Sequence, residues 1–128
     1  MALSKTARTI VASTSNAAGG TTRGTLNMNA VQGGGLLTFK MTNGGTGPTV
    51  QCLCNVLVAH NATLPAAGSA GATWKTMVSY GGGLTANNIT EYCIPIDPAV
   101  MCLCVEFTGN TGQAVTVEAF MSELTSAI

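Results

Sequence analysis

The stretch TVQCLCNVLVAH at residues 49–60 decides the fold, because its apolar side chains recur at every second position. Successive side chains of an extended strand point to opposite faces, so this period is typical of a β-strand. We expect one face to lie toward a core. That face carries Val50, Cys52, Cys54, Val56 and Val58.

The same alternation recurs along the chain between turns rich in glycine and asparagine. It indicates about eight strands, and a helix is expected only as a C-terminal turn. The predicted fold is an all-β, single-domain antiparallel β-sandwich, either jelly-roll or Ig-like. The further strand candidates are TARTIVAS (6–13), TTRGTLNMN (21–29), LLTFKMTN (36–43), TWKTMVSY (73–80), NITEYCIPI (88–96), MCLCVEFT (101–108) and AVTVEAFMSELT (114–125).

Two features of this pattern give more specific expectations. The sequence GNTGQ (109–113) has the length of a hairpin turn, so we expect the strands on either side of it to pair. Pro95 lacks a backbone donor and places its strand at a sheet edge or strand end. We expect residues 1–20 to be an N-terminal arm or first strand, ordered on a partner, and residues 21–128 to be the sandwich domain.

Charge is sparse in this chain of 128 residues, with five Lys+Arg, five Asp+Glu and 8% charged residues. A typical soluble domain has about 25%. A surface so neutral tends to associate, and we expect a homo-oligomer. The scattered basic residues argue against nucleic acid as a partner. No apolar run is long enough for a membrane helix, and the N-terminus does not resemble a secretory signal, so we expect no membrane partner and synthesis in a cytoplasm.

The two Cys-Leu-Cys sequences raise the question of a metal site. Cysteines two apart on a strand have Cβ atoms about 6.5–7 Å apart, too far for a disulfide and poorly placed for one metal ion. We expect Cys52 and Cys54 in the core, and Cys102 and Cys104 on a less buried face. The favoured interpretation is that all four are small apolar fillers; a metal site and a disulfide across strands remain as alternatives. His60 is expected to be exposed at a strand end.

Catalytic patterns are weak. The single histidine matches no nucleophile motif, and the acidic residues are spread singly. Glu106 and Glu118 flank the predicted hairpin and would be neighbours there, although solvated carboxylates are the default. We therefore expect no enzyme, no catalytic residues, no metal and no cofactor. Candidate interface residues are Arg8, Trp74 and Tyr80, since large aromatic groups dominate association energies; for Trp74, ordinary core packing is the alternative.

Three short stretches carry a resemblance to a known family: MTNGGTGPTVQC (41–52), TWKTMVSYGGG (73–83) and FTGNTGQAVTVEAF (107–120). Together with their surroundings, from Thr22 to the C-terminus, they resemble the capsid decoration, or cement, proteins of tailed bacteriophages. The resemblance implies a small sandwich, with a homotrimer favoured, that sits on the outer capsid surface of the virion. Its implied function is to stabilise the shell by bridging subunits of the major capsid protein.

Two alternatives to this function stay open. One is another virion component, such as a head fibre base, a tail module or a coat protein. The other is a glycan- or metal-binding sandwich module in host attachment, with its site at Trp74, Tyr80 or the cysteines.

Overall fold

Eight antiparallel strands form two four-stranded sheets that pack face to face. The computed structural model describes residues 3–30 and 33–127, and the all-β sandwich expected from the sequence is confirmed. Strand β8 continues to Ala127, in place of the expected C-terminal helical turn. The strands are β1 (Leu3–Asn16), β2 (Thr22–Asn27), β3 (Gly35–Asn43), β4 (Leu53–Ala59), β5 (Lys75–Gly81), β6 (Ile89–Ile96), β7 (Cys102–Thr108) and β8 (Val115–Ala127).

The strand order identifies the topology. Sheet A has the order β1-β8-β3-β6, and sheet B has the order β2-β7-β4-β5. The first strand thus pairs with the last, the second with the seventh, the third with the sixth and the fourth with the fifth. Such a set of pairs is a long hairpin ribbon rolled over on itself, which is the jelly roll. Of the two sandwich types expected, the jelly roll is the one formed.

The main core lies between the sheets and is made by every second residue of the strands that face each other. Phe39 on β3 and Phe107 on β7 are fully buried and are its largest members. Burying such a side chain stabilises the fold by about 1.5–3 kcal/mol. Cys52, Cys54 and Val56 are also fully buried there, as the alternation predicts.

The predicted hairpin between β7 and β8 is wrong. These strands lie in different sheets, so GNTGQ crosses from one sheet to the other at the end of the sandwich. Gly109 and Gly112 have φ angles of 94° and 81°, in the left-handed region that glycine favours. Between them Asn110 is buried, and its side-chain oxygen accepts a 2.6 Å hydrogen bond from Asn16 Nδ2. This asparagine pair ties the crossing loop to the end of β1.

The first strand is part of the sandwich itself. Leu3–Asn16 pairs with β8 along its length, with three register shifts. The structure describes Leu3–Asn16 as a first strand whose neighbour, β8, belongs to the same chain.

A second, smaller core lies on the outer face of sheet B. The β4–β5 loop, residues 60–74, covers this face, and Trp74 packs there against Leu57. Cys102 and Cys104 are fully buried beneath it, so the expectation of a less buried face for this pair is wrong.

Two neighbouring residues of β4, Val56 and Leu57, are both fully buried, one in each core. Strand β4 alternates regularly along β7, so the second burial comes from the loop that covers the outer face of sheet B. The register shift against β5 leaves Met77 of β5 as the extra residue of a bulge. Val50 precedes the strand and is 51% exposed, which corrects its expected place in the core.

Candidate interaction surfaces

Both arginines of the chain hold a buried carboxylate. Arg8 Nε lies 3.1 Å from Glu123 Oε2, and Arg23 Nε lies 2.7 Å from Glu106 Oε2. The two glutamate side chains are only 2% and 5% exposed. The expectation of a solvated carboxylate is therefore wrong for Glu106 and Glu123. A buried charge without such a partner is strongly destabilising, so these arginines have a structural role in the fold.

The Glu106 ion pair belongs to a row of polar side chains that crosses sheet B. Glu106 Oε1 also accepts a 2.9 Å hydrogen bond from Asn55, whose own oxygen accepts one from Ser79 at 2.6 Å. Arg23 continues the row to the β4–β5 loop by donating to Ser69 Oγ at 2.6 Å. Every member has a partner within the row, and this is the arrangement of a structural network.

Glu106 and Glu118 do not form the neighbouring pair considered from the sequence. Glu106 is on β7 in sheet B, whereas Glu118 is on β8 in sheet A, paired with Lys40. Their separation follows from the loop that sends β8 to the other sheet. The hairpin prediction was thus the source of the error.

The cysteines are free thiols with no metal set among the described residues. No group of three or more His, Cys, Asp or Glu side chains there is placed to hold a metal ion. Burial raises the pKa of Cys52 to about 11, and burial also raises the pKa of Cys54 and Cys104. Since the thiolate is the nucleophile and metal ligand, these sulfurs are suited to packing. Cys93 is the exposed member of the set, and His60 is exposed just after β4, as expected.

The three candidate interface residues lie at separate places. Arg8 is 52% exposed on the edge strand β1, where it holds Glu123. Trp74 is 3% exposed, and its Nε1 donates a 2.8 Å hydrogen bond to the carbonyl of Ala66 in the covering loop. Packing of the second core is thus its role in the described fold. Tyr80 is half-buried at the edge of sheet B.

Tyr80 is one member of an aromatic cluster that closes one edge of the sandwich. Its ring stacks on Tyr92 of β6 with centroids 4.7 Å apart, and it also contacts Phe39 at 5.1 Å. The two tyrosines come from different sheets, so their contact joins β5 to β6 across the edge. Tyr92 is 48% exposed and presents part of its ring outward.

Further exposed apolar side chains lie on the same two strands and on the loop that joins them. Met77 on β5, Leu84 in the following loop and Ile89 at the start of β6 are exposed by 42%, 56% and 58%. We call Met77, Tyr80, Leu84, Ile89 and Tyr92 the β5–β6 edge. Several exposed apolar groups at one edge of a fold are typical of interaction sites.

The outer face of sheet A is the second apolar surface. Leu36 and Phe120 are 48% and 41% exposed on its two central strands, between half-buried threonines. Lys40 and Glu118 are the charged residues of its two central strands, and Glu91 of β6 is paired with Lys40 on the other side. At one end, Lys5, Gly35, Leu36, Ser122, Glu123 and Leu124 line a depression of about 400 Å³.

Sequence reasoning missed Tyr92 and Phe120 as surface residues. Alternation places Tyr92 on the inward face of β6, and only the edge position of that strand exposes its ring. Phe120 breaks the polar series of outward residues on β8, which is the signal that could have identified it. Within the described residues, no helix is long and apolar enough to cross a membrane.

Comparison with known proteins gives a fold but no family. The sequence matches no protein-family model, and it matches no curated protein. Among solved structures, it is similar to the K3 cleaved adhesin domain of Lys-gingipain from Porphyromonas gingivalis W83. That match has a TM-score of 0.59 and 10% identity, and it covers 86% of this chain and 72% of the adhesin chain.

Two structures of infectious bursal disease virus are also similar. The structure of the Gx strain has a TM-score of 0.55, and that of the VP2 subviral particle has 0.54, each at 11% identity and covering 94% of this chain. This chain spans about a third of the length of those two chains, 32% of each. At such identities, the likeness establishes a shared β-sandwich fold.

Proposed function

We propose that this protein is a structural component of a virion that decorates the outside of a phage capsid and stabilises it by bridging major capsid protein subunits. It acts by binding, without turnover of a substrate. The observation that carries the proposal is the β5–β6 edge, an apolar surface on a molecule with very few charges. The resemblance of the sequence to decoration proteins supplies the partner.

The chemistry of the edge suits a contact between proteins. Its centre is a pair of stacked tyrosines held from behind by Phe39, so the rings are already ordered before a partner binds. Aromatic groups that lose little freedom on binding are the common anchors of interfaces. Around them lie Met77, Leu84 and Ile89, which lose exposed apolar area when covered.

Repetition on a shell removes the need for a strong individual contact. Each additional contact of an oligomer with the capsid is made at high effective concentration, so modest contacts add to a stable attachment. A neutral surface also limits binding to nucleic acid and other charged molecules in the infected cell. Both points agree with attachment to a finished capsid.

The test is binding to heads that lack the protein. Wild-type protein is expected to bind such heads in stoichiometric amounts and to raise the temperature at which they rupture. Tyr92→Ser should lower its occupancy, whereas Val50→Ser should not, because Val50 is similarly exposed, 51% against 48%, but forms its bridge with Thr111, outside the set of edge residues. Absence of the protein from purified virions would overturn the proposal, and its presence in a few copies on tails would favour a tail module.

A glycan-binding role in host attachment is the second candidate. It is favoured by the same stacked tyrosines, because an exposed aromatic ring can pack against the apolar face of a sugar. A glycan array separates the two functions. Binding of a defined glycan that is lost in Tyr92→Ser, together with no affinity for heads, would select this candidate.

A further inference from the structure

We propose that the outer face of sheet A binds a second copy of this chain, around a two-fold axis that runs parallel to the strands between β3 and β8. The inference goes beyond the proposed function, because it concerns the free protein and requires no capsid. It uses the outer face of sheet A, whereas Tyr80 and Tyr92 of the β5–β6 edge lie on the inward side of their strands; Ile89, paired with Thr42, is at the rim of both surfaces.

The evidence is the pattern of side chains on the two central strands of the sheet. Strands β3 and β8 are neighbours there, with β6 and β1 outside them. Directly paired residues of neighbouring strands point to the same face. The outward pairs between β3 and β8 are Leu36 with Ser122, Thr38 with Phe120, Lys40 with Glu118, and Thr42 with Thr116.

Three of these four pairs join side chains that are complementary in size or in charge. Leu36 is beside a serine, Phe120 is beside a threonine, and Lys40 is beside a glutamate. A two-fold axis between the strands exchanges the members of each pair. In the assembled dimer, Leu36 of one copy therefore lies over Ser122 of the other, and Phe120 lies over Thr38.

The same operation places opposite charges together. Lys40 of each copy lies over Glu118 of the other, which gives two ion pairs related by the axis. Within the described part of a single chain, the ion pairs are those made by Arg8 and Arg23, so Lys40 and Glu118 are available for this contact. A self-complementary patch of this kind is what an isologous two-fold interface requires.

The area of the face is sufficient for a specific dimer. Sheet A has four strands, and β3 has nine residues. With strands about 4.8 Å apart and a rise of about 3.3 Å per residue, the face covers about 570 Å². Two copies then bury about 1,100 Å² in total, just above the roughly 1,000 Å² expected of a biological interface.

Association by adding strands at the sheet edges is less favoured. Strand β1 has three register shifts along its length, and β6 carries Pro95, which cannot donate a backbone hydrogen bond. Bulges and prolines are features that prevent edge-to-edge pairing. The open face of sheet A is therefore the surface left for a second copy.

Charge reversal in two separate variants tests this pairing. In sedimentation equilibrium, the wild type should have twice the chain mass of 12.9 kDa. In a dimer of Lys40→Glu alone, or of Glu118→Lys alone, like charges face each other at both symmetry-related contacts. Each variant should therefore have a dimer dissociation constant more than about 100-fold higher than that of the wild type. An equimolar mixture of the two variants should restore a dimer that contains one copy of each, because both contacts are again between opposite charges.

The mixture separates a contact between copies from an effect within one chain, since mixing cannot repair a chain that is misfolded. Lys75→Glu, a reversal on the exposed edge strand of sheet B, is the matched control and should leave the dimer unchanged. A monomeric wild type, a trimer insensitive to Lys40→Glu, or a mixture that stays monomeric would each overturn the inference. None of these results bears on attachment to capsids, which is measured separately.

Discussion

Arg23 Nε donates a 2.7 Å hydrogen bond to Oε2 of Glu106, a carboxylate buried on the outer face of sheet B. The two residues are directly paired on β2 and β7, and Asn55 holds the other oxygen of the carboxylate. The contact joins the short edge strand β2 to the centre of its sheet. It also reaches the covering loop through Ser69.

Removal of the arginine alone should be costly. Arg23→Met leaves Glu106 buried without its cation, and we expect the free energy of unfolding to fall by about 3–5 kcal/mol. Adding Glu106→Gln should recover much of this loss, since the neutral amide needs no counter-charge. Urea unfolding followed by circular dichroism measures both variants. If the double variant is as unstable as the sum of the single ones, the pair does not act as described.

The five thiols should differ sharply in reactivity. Cys93 is exposed, whereas Cys52, Cys54, Cys102 and Cys104 are buried. Because Cys93 is paired with Thr38 on the outer face of sheet A, which a second copy would cover, the test uses the Lys40→Glu variant, expected to be a monomer. At pH 8 a disulfide reagent should label one thiol of this native variant rapidly, and adding Cys93→Ser should abolish the reaction. All remaining thiols should react after unfolding. Rapid labelling of two or more native thiols would contradict the burial of both Cys-Leu-Cys pairs.

Substitutions in β7 should separate the main core from the second core. Phe107→Ala leaves a large cavity between the sheets and should cost about 3–5 kcal/mol, whereas Cys104→Ala removes one sulfur and should cost much less. Both side chains are fully buried, so the difference between the two losses of stability reflects the difference in side-chain volume removed. Thermal unfolding of the two variants gives the comparison. Equal losses would show that Phe107 does not fill the space between the sheets.

Trp74 should hold the β4–β5 loop against sheet B. Its indole packs on Leu57 and donates to Ala66, so Trp74→Ala removes both the packing and the hydrogen bond. Thermolysin should then cleave the loop near Leu64 much faster than in the wild type. Met77→Ala, on an exposed part of the neighbouring strand, is the control and should not change the rate. Equal cleavage of all three proteins would show that Trp74 does not hold the loop against the sheet.

The sequence predicted the class of fold because period-two alternation is a local property of the chain. The segments 6–13 and 21–29 both form strands, and the edge position expected for the strand that contains Pro95 is confirmed. It did not predict that β7 and β8 lie in different sheets. A loop such as GNTGQ has the same composition whether it turns within one sheet or crosses to another. Only the strand pairing of the whole ribbon determines which of the two arrangements forms.

The surfaces were predicted less well, for a related reason. Alternation reports which side chains share a face, but not whether a loop covers that face. Cys102 and Cys104 were placed on the correct side of β7, yet the loop of residues 60–74 buries them. Tyr80 was identified as a candidate, whereas its stacking on Tyr92 depends on two sheet edges that meet in space. That proximity has no signature in either strand alone.

The central claim is that this sandwich attaches to the outside of a capsid through its β5–β6 edge. The most direct test is a density map, by electron cryo-microscopy, of heads with and without the protein. The account predicts additional density of this shape at regular positions across neighbouring capsid subunits, with Tyr92 facing the shell. Identical maps, or a protein found only inside the head or on the tail, would contradict it.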